Sequence, residues 1–134
     1  MISSSDRLRP VIAVCVLLLL ASALAACGPA DPGVRSMAAA DAVDELATRT
    51  VIDVRTPAEV AEGAVRGALN VDFQAPGFRE RIAELDRDGR YLLYCRTGNR
   101  SGQAAAIMED LGFTDVVDAG GFAALAAAGA PVTR

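Results

Sequence analysis

The chain of 134 residues contains no histidine, no lysine and no tryptophan, and aromatic residues supply only 4% of it. Without histidine there is no Cys-His pair, which removes acyl transfer of the cysteine-protease kind. The scarcity of aromatics, set against many alanines, implies helices lying close on a sheet rather than a bulky core. All 13 basic residues are arginine, and they form neither a stripe nor a patterned helix face, so no nucleic-acid partner is expected. No metal or cofactor is expected either.

What is present begins with a leader. Arg7 and Arg9 precede an apolar run from Val11 to Leu20 that continues in small residues to Ala26, the layout of a secretory signal. A membrane-spanning anchor is the other reading of that run. Ser22 interrupts it, however, and its strongly apolar part is shorter than the ~20 residues a span needs. Leu24-Ala25-Ala26-Cys27 resembles the lipobox of bacterial lipoproteins, and turn-rich Gly28-Pro29-Ala30-Asp31-Pro32-Gly33 follows it directly. Such proteins are multiply acylated, as stable anchoring requires. The expected organisation is therefore a signal peptide over 1–26, a lipidated N-terminus and tether over 27–33, and one domain over 34–134, exported and held to a membrane of the bacterial envelope by lipid on Cys27. The ordinary alternative is a simple cleavage site with a chance cysteine. Losing Asp6, Arg7 and Arg9 takes the net charge from −4 to −5.

Of three cysteines, Cys15 leaves with the leader and Cys27 carries lipid, so Cys95 is the one free thiol of the mature chain. A lone cysteine is either a small buried hydrophobe or is kept for its reactivity. Its surroundings decide between them. Short apolar runs alternate with helical patterns, which indicates an α/β fold with a mostly parallel sheet wrapped by helices. A helix is expected over Ala38–Arg49, then a buried strand Thr50–Val54. Thr56, Pro57 and Glu59 make a capping box with proline at the first helical position. Strand Ala68–Val71, a helix carrying Phe78, Ile82 and Leu85, and a central strand Arg90–Tyr94 follow. The pattern closes with a helix through Ala104, Ile107, Met108 and Leu111, a strand Asp115–Asp118 and an alanine-rich helix after Gly120-Gly121.

Cys95 follows a strand and precedes a helix starting near Arg100, so the thiol falls at the carboxyl edge of the sheet, where open α/β sheets bind ligands. Gly98 lets the backbone curl so that successive amides point inward, and the helix adds its positive end. A free thiol is only ~3% ionised at pH 7, so a working nucleophile needs its pKa lowered by roughly two units. That is ~2.7 kcal/mol, against at most ~2 from a helix end. Loop amides or an arginine must supply the rest, and Arg100 is nearest the helix start. Few thiol reactions need no base. Sulfane-sulfur transfer through a persulfide is one.

Several segments agree in order with one family. Val51-Ile52-Asp53-Val54-Arg55 with Glu59, Gly67-Ala68-Leu69-Asn70-Val71, Cys95-Arg96-Thr97-Gly98-Asn99-Arg100-Ser101, Gly120-Gly121 and Gly129-Ala130-Pro131-Val132 together resemble a single-domain rhodanese from about Arg35 to Val132. The resemblance implies a parallel sheet of about five strands with helices on both faces. It also implies a sulfurtransferase that carries sulfur on Cys95 from a small anionic donor such as thiosulfate to a thiol or cyanide, with Arg96, Thr97, Gly98, Asn99 and Arg100 around the substrate. Two departures are visible: Gly63-Ala64-Val65 stands where the family has Gly-His-Ile, and Leu125 where a tryptophan follows the glycine pair. Asp53 reads as structural at its strand end, and Arg55 with Glu59 as an i, i+4 pair. Two other functions compete. One is a relay module that holds persulfide for a membrane partner without free turnover. The other is a cysteine phosphatase or arsenate reductase, which would need five residues between cysteine and arginine; here there are four, Arg96 to Asn99.

Overall fold

The computed structural model describes residues 33–134. The expected leader, the lipidated Cys27 and nearly all of the tether lie outside the described residues. Strand β1 (Val34–Ser36) leads into α1 (Ala39–Glu45) and a single 3-10 turn, Leu46–Thr48. Strand β2 (Thr50–Asp53), helix α2 (Pro57–Ala61), short strands β3 (Ala64–Val65) and β4 (Leu69–Asn70), and helix α3 (Phe78–Ala83) come next. Then follow β5 (Arg90–Cys95), α4 (Asn99–Asp110), β6 (Asp115–Gly121), α5 (Phe122–Ala127) and β7 (Val132–Thr133).

Five strands pair in parallel in the order β1-β6-β5-β2-β4, so β5 is central, as its composition predicts. Its side chains alternate between two cores. Tyr91, Leu93 and Cys95 face a cluster with Ile52, Val116, Phe78 and Ile82 of α3, and Ala104, Ala105 and Met108 of α4. Leu92 and Tyr94 face the other cluster, with Val51, Val117, Ala42 of α1 and Leu125 of α5. Period-two alternation with both faces covered explains why the strand is apolar almost throughout. Leu92 and Leu93 are fully buried, and each contributes about 1.5–3 kcal/mol of transfer free energy. Truncating either to alanine costs about 2–5 kcal/mol.

The capping box at α2 forms as expected. The Glu59 amide donates to Thr56 Oγ1 at 3.3 Å, and the Thr56 amide donates to Glu59 Oε2 at 3.0 Å. The first expected helix, by contrast, is α1 plus the 3-10 turn, and Arg49 beyond it is buried rather than on a solvent face. Sequence patterning also missed β1 and the antiparallel pair of β3 with β7. Runs of two or three residues are too short to show a period.

Candidate active site

The strands β2, β5 and β6 end together at the carboxyl edge, and the loop after β5 is shaped by the end of β6. Leu93 pairs with Asp118 but Cys95 with Gly121, so β6 carries one residue more than β5 over this stretch. This bulge puts Gly120 at φ 78° and brings Gly121 against the loop. A Cβ at Gly121 would lie 2.8 Å from the Arg96 carbonyl oxygen, so only glycine permits that approach. Gly98, at φ 101°, occupies the left-handed region just before the first turn of α4. The glycine pair and Gly98 are thus two halves of one packing contact.

Cys95 ends β5 with its side chain fully buried. The Gly98 amide donates to its Sγ at 2.9 Å. Burial pushes the thiol up, but the Ser101 amide and hydroxyl and the amides of Gly98 and Thr97 outweigh it, leaving the pKa below its ordinary value. The Ser101 hydroxyl also sits 3.1 Å from the Gly98 carbonyl. It has one proton, which the charged sulfur attracts more strongly than a neutral carbonyl does once the thiol ionises. Ser101 is therefore a site residue that the sequence reading did not single out, although its place in the first turn of α4 was visible.

The five loop residues next to Cys95 divide by what they touch. Thr97 and Gly98 turn amides to the sulfur. Asn99 instead turns its side chain along the helix, where Oδ1 accepts from Gln103 Nε2 at 2.7 Å. Arg100 forks onto Glu59, its Nη1 and Nη2 donating to Oε2 and Oε1 at 2.8 and 2.7 Å. That pair, helped by the Thr56 contacts and against the effect of burial, pulls Glu59 down to about 2. Its guanidinium still feels the Cys95 thiolate, but as one half of a matched ion pair. Arg96 is exposed and lines a cavity of about 440 Å³ with Arg55, Glu59, Glu62, Phe122 and Ala123.

The expected Arg55–Glu59 side-chain pair is not formed. Arg55 precedes the cap Thr56, so it lies off the helix face that an i, i+4 contact requires. It turns inward instead: Nε lies 3.0 Å from Asp53 Oδ1, Nη2 lies 2.7 Å from Asp53 Oδ2, and Nη2 also reaches the Gly63 carbonyl at 2.7 Å. Tyr94 donates to Asp53 Oδ2, and the Arg55 amide donates to Asp53 Oδ1 at 2.9 Å. Asp53 thus accepts from the backbone and side chain of Arg55 and from Tyr94 at the turn between β2 and α2. Among the described residues no three His, Cys, Asp or Glu side chains gather as metal ligands would.

The chain is similar to known proteins in sequence and in fold. "Thiosulfate sulfurtransferase PspE" of Escherichia coli is 33% identical over 89 residues, covering 66% of this chain and 86% of its own length. A sulfurtransferase of Allochromatium vinosum is 36% identical over 83 residues, covering 61% of this chain and 76% of its own. The crystal structure of a rhodanese-related protein from Thermoplasma volcanium is similar at TM-score 0.66 and 34% identity, over 74% of this chain and 97% of that one. Residues 37–128 match the rhodanese-like domain family, and with the five-stranded parallel sheet this chain belongs to it.

Proposed function

We propose that the chain is a rhodanese-type sulfurtransferase in which Cys95 carries sulfane sulfur as a persulfide. One observation carries the reading: a buried thiol whose anionic form is held by backbone amides, with Gly98 at 2.9 Å, in a chain that has no histidine to act as a base. The thiolate attacks the outer sulfur of thiosulfate, the S–S bond to the sulfonate breaks with its electron pair, and sulfite leaves. Sγ becomes neutral on forming the new bond, and the outer sulfur keeps the negative charge it brought from thiosulfate, so the persulfide is an anion that the same donors favour. An acceptor thiolate or cyanide then takes that sulfur and returns the thiolate to Cys95. Neither step transfers a proton in its transition state, which is why no general base is needed.

The Cys95 side chain is buried while Arg96 and Thr97 of the same loop are exposed, with Gly98 in the left-handed region behind them. Intact-mass measurement after thiosulfate treatment tests the reading: one sulfur atom is gained and is lost again to cyanide or a thiol. No gain from thiosulfate, a polysulfide or a small persulfide would overturn it. The reading also keeps the domain on a short tether behind lipidated Cys27, anchored at a membrane. Cys27→Ser would then accumulate an unprocessed, lipid-free precursor, and wild-type protein found free in a detergent-free supernatant would contradict the anchor.

A further inference from the structure

The cavity beside the loop presents four charged side chains, and two of them are already matched within the protein. Arg55 lies on Asp53 and Glu59 on Arg100, each at 2.7 Å. The other two, Arg96 and Glu62, are exposed and make no side-chain ion pair or hydrogen bond among the described residues. They line one space without closing on each other. At about 440 Å³ that space is within the usual range of small-molecule sites. Its third wall is Phe122, whose ring is held under the Arg55 guanidinium at 4.3 Å.

A dianionic donor such as thiosulfate fits Arg96 but is repelled by Glu62. A neutral thiol uses neither. The ligand that uses both carries an anion and a cation on one short frame, as the α-amino-acid end of a thiol does. We propose that this cavity is the acceptor subsite, and that Arg96 and Glu62 select acceptor thiols bearing both a carboxylate and an ammonium group. The inference rests on the sulfurtransferase reading of Cys95 and concerns its second half-reaction. There the acceptor thiolate forms a bond to the outer persulfide sulfur, the bond from that sulfur to Sγ breaks, and the electron pair stays on Sγ. The acceptor leaves as a persulfide anion with no net oxidation.

The test compares four acceptors on the full chain loaded with thiosulfate: L-cysteine, cysteamine, 3-mercaptopropionate and 2-mercaptoethanol, with cyanide alongside. Intrinsic thiol reactivity cancels when each variant is read as a ratio to wild type. Glu62→Gln should lower kcat/KM for cysteamine and cysteine about two- to fivefold relative to 2-mercaptoethanol, the size an exposed ion pair supplies. It should leave the 3-mercaptopropionate ratio unchanged or raised. Arg96→Gln should lower the ratios for 3-mercaptopropionate and cysteine while sparing that for cysteamine. If either substitution moves all four thiols equally or none of them, the acceptor assignment is wrong while sulfur transfer stands. If sulfur reaches no acceptor, cyanide included, the sulfurtransferase reading fails and this inference fails with it.

Discussion

The two edges of the central sheet use the same arginine and carboxylate chemistry for different ends. At the amino edge Arg35 of β1, Glu45 closing α1, Arg49 ahead of β2, Arg90 of β5 and Asp115 of β6 join in one network. Arg49 is its buried hub: its Nη1 donates to Asp115 Oδ1 at 2.7 Å, and its Nε donates to Glu45. Three cations and two anions thereby tie β1, α1, the approach to β2, β5 and β6. At the carboxyl edge Arg55 pairs with Asp53 and Arg100 with Glu59, and what faces the sulfur is neutral, backbone amides and the Ser101 hydroxyl. A charge network distributes stability. A matched pair beside a thiol instead leaves fixed amides to set its ionisation, and these cost no reorganisation when charge moves.

The largest effect expected at the carboxyl edge is total. Cys95→Ser should gain no sulfur by intact mass under conditions that load the wild type. At the amino edge the largest effect is on folding. Arg49→Ala leaves Asp115 and Glu45 partly uncompensated and should cost about 2–3 kcal/mol in urea unfolding, less than the full cost of breaking a buried pair because Arg35 and Arg90 remain. The alkylation pKa of Cys95 should not move in that variant. A shift would show that the two edges are coupled and break the comparison.

Acid should next expose the Glu59 pair. Its folded pKa of about 2 lies below the ordinary 4.5, so its stabilisation is fully present above about pH 4.5 and lost as pH falls towards 2. After solvent screening this amounts to about 1–2 kcal/mol. Glu59→Gln should flatten the acid limb of a pH–stability curve by that amount, and an unchanged limb would show that the pair contributes nothing to folding. The same pair should tune the thiol in opposite directions. Arg100→Ala should raise the Cys95 pKa by removing a nearby positive charge, and Glu59→Gln should lower it by freeing the guanidinium charge. If alkylation–pH profiles move in neither variant, Arg100 serves packing alone. Ser101→Ala should have the smallest effect, a rise in the Cys95 pKa, because the Ser101 amide remains when the hydroxyl is removed. A rise larger than that from Arg100→Ala would make the hydroxyl, not the charge, the main side-chain influence on the sulfur.

Much of the fold was legible because its signals are local. The Thr56–Glu59 capping box acts over three residues, and glycine positions mark where α2 and α4 stop. The apolar run Tyr91–Tyr94 reads as a strand covered on both faces wherever its partners come from. The loop from Cys95 to Arg100 could likewise be placed at a sheet edge from the strand before it and the helix after it. Those same residues also carried the family resemblance.

What the amino-acid sequence determined by itself was therefore the elements, their alternation, the central strand and a single reactive-thiol candidate. All of these rest on contacts a few residues apart or on the period of one element. The tertiary structure alone decided which charges meet. Glu59 finds Arg100 across 41 positions and Arg49 finds Asp115 across 66. Arg55 turns to Asp53 although Glu59 is at the spacing that suggests a pair. No periodicity encodes such choices, because an arginine's reach is several ångströms in any direction and only the packed backbone determines which carboxylate lies there. The same reason separates the two edges: the sequence holds all the arginines, and the fold assigns three to tying strands, one to a matched pair beside the sulfur, and one, Arg96, to an open cavity.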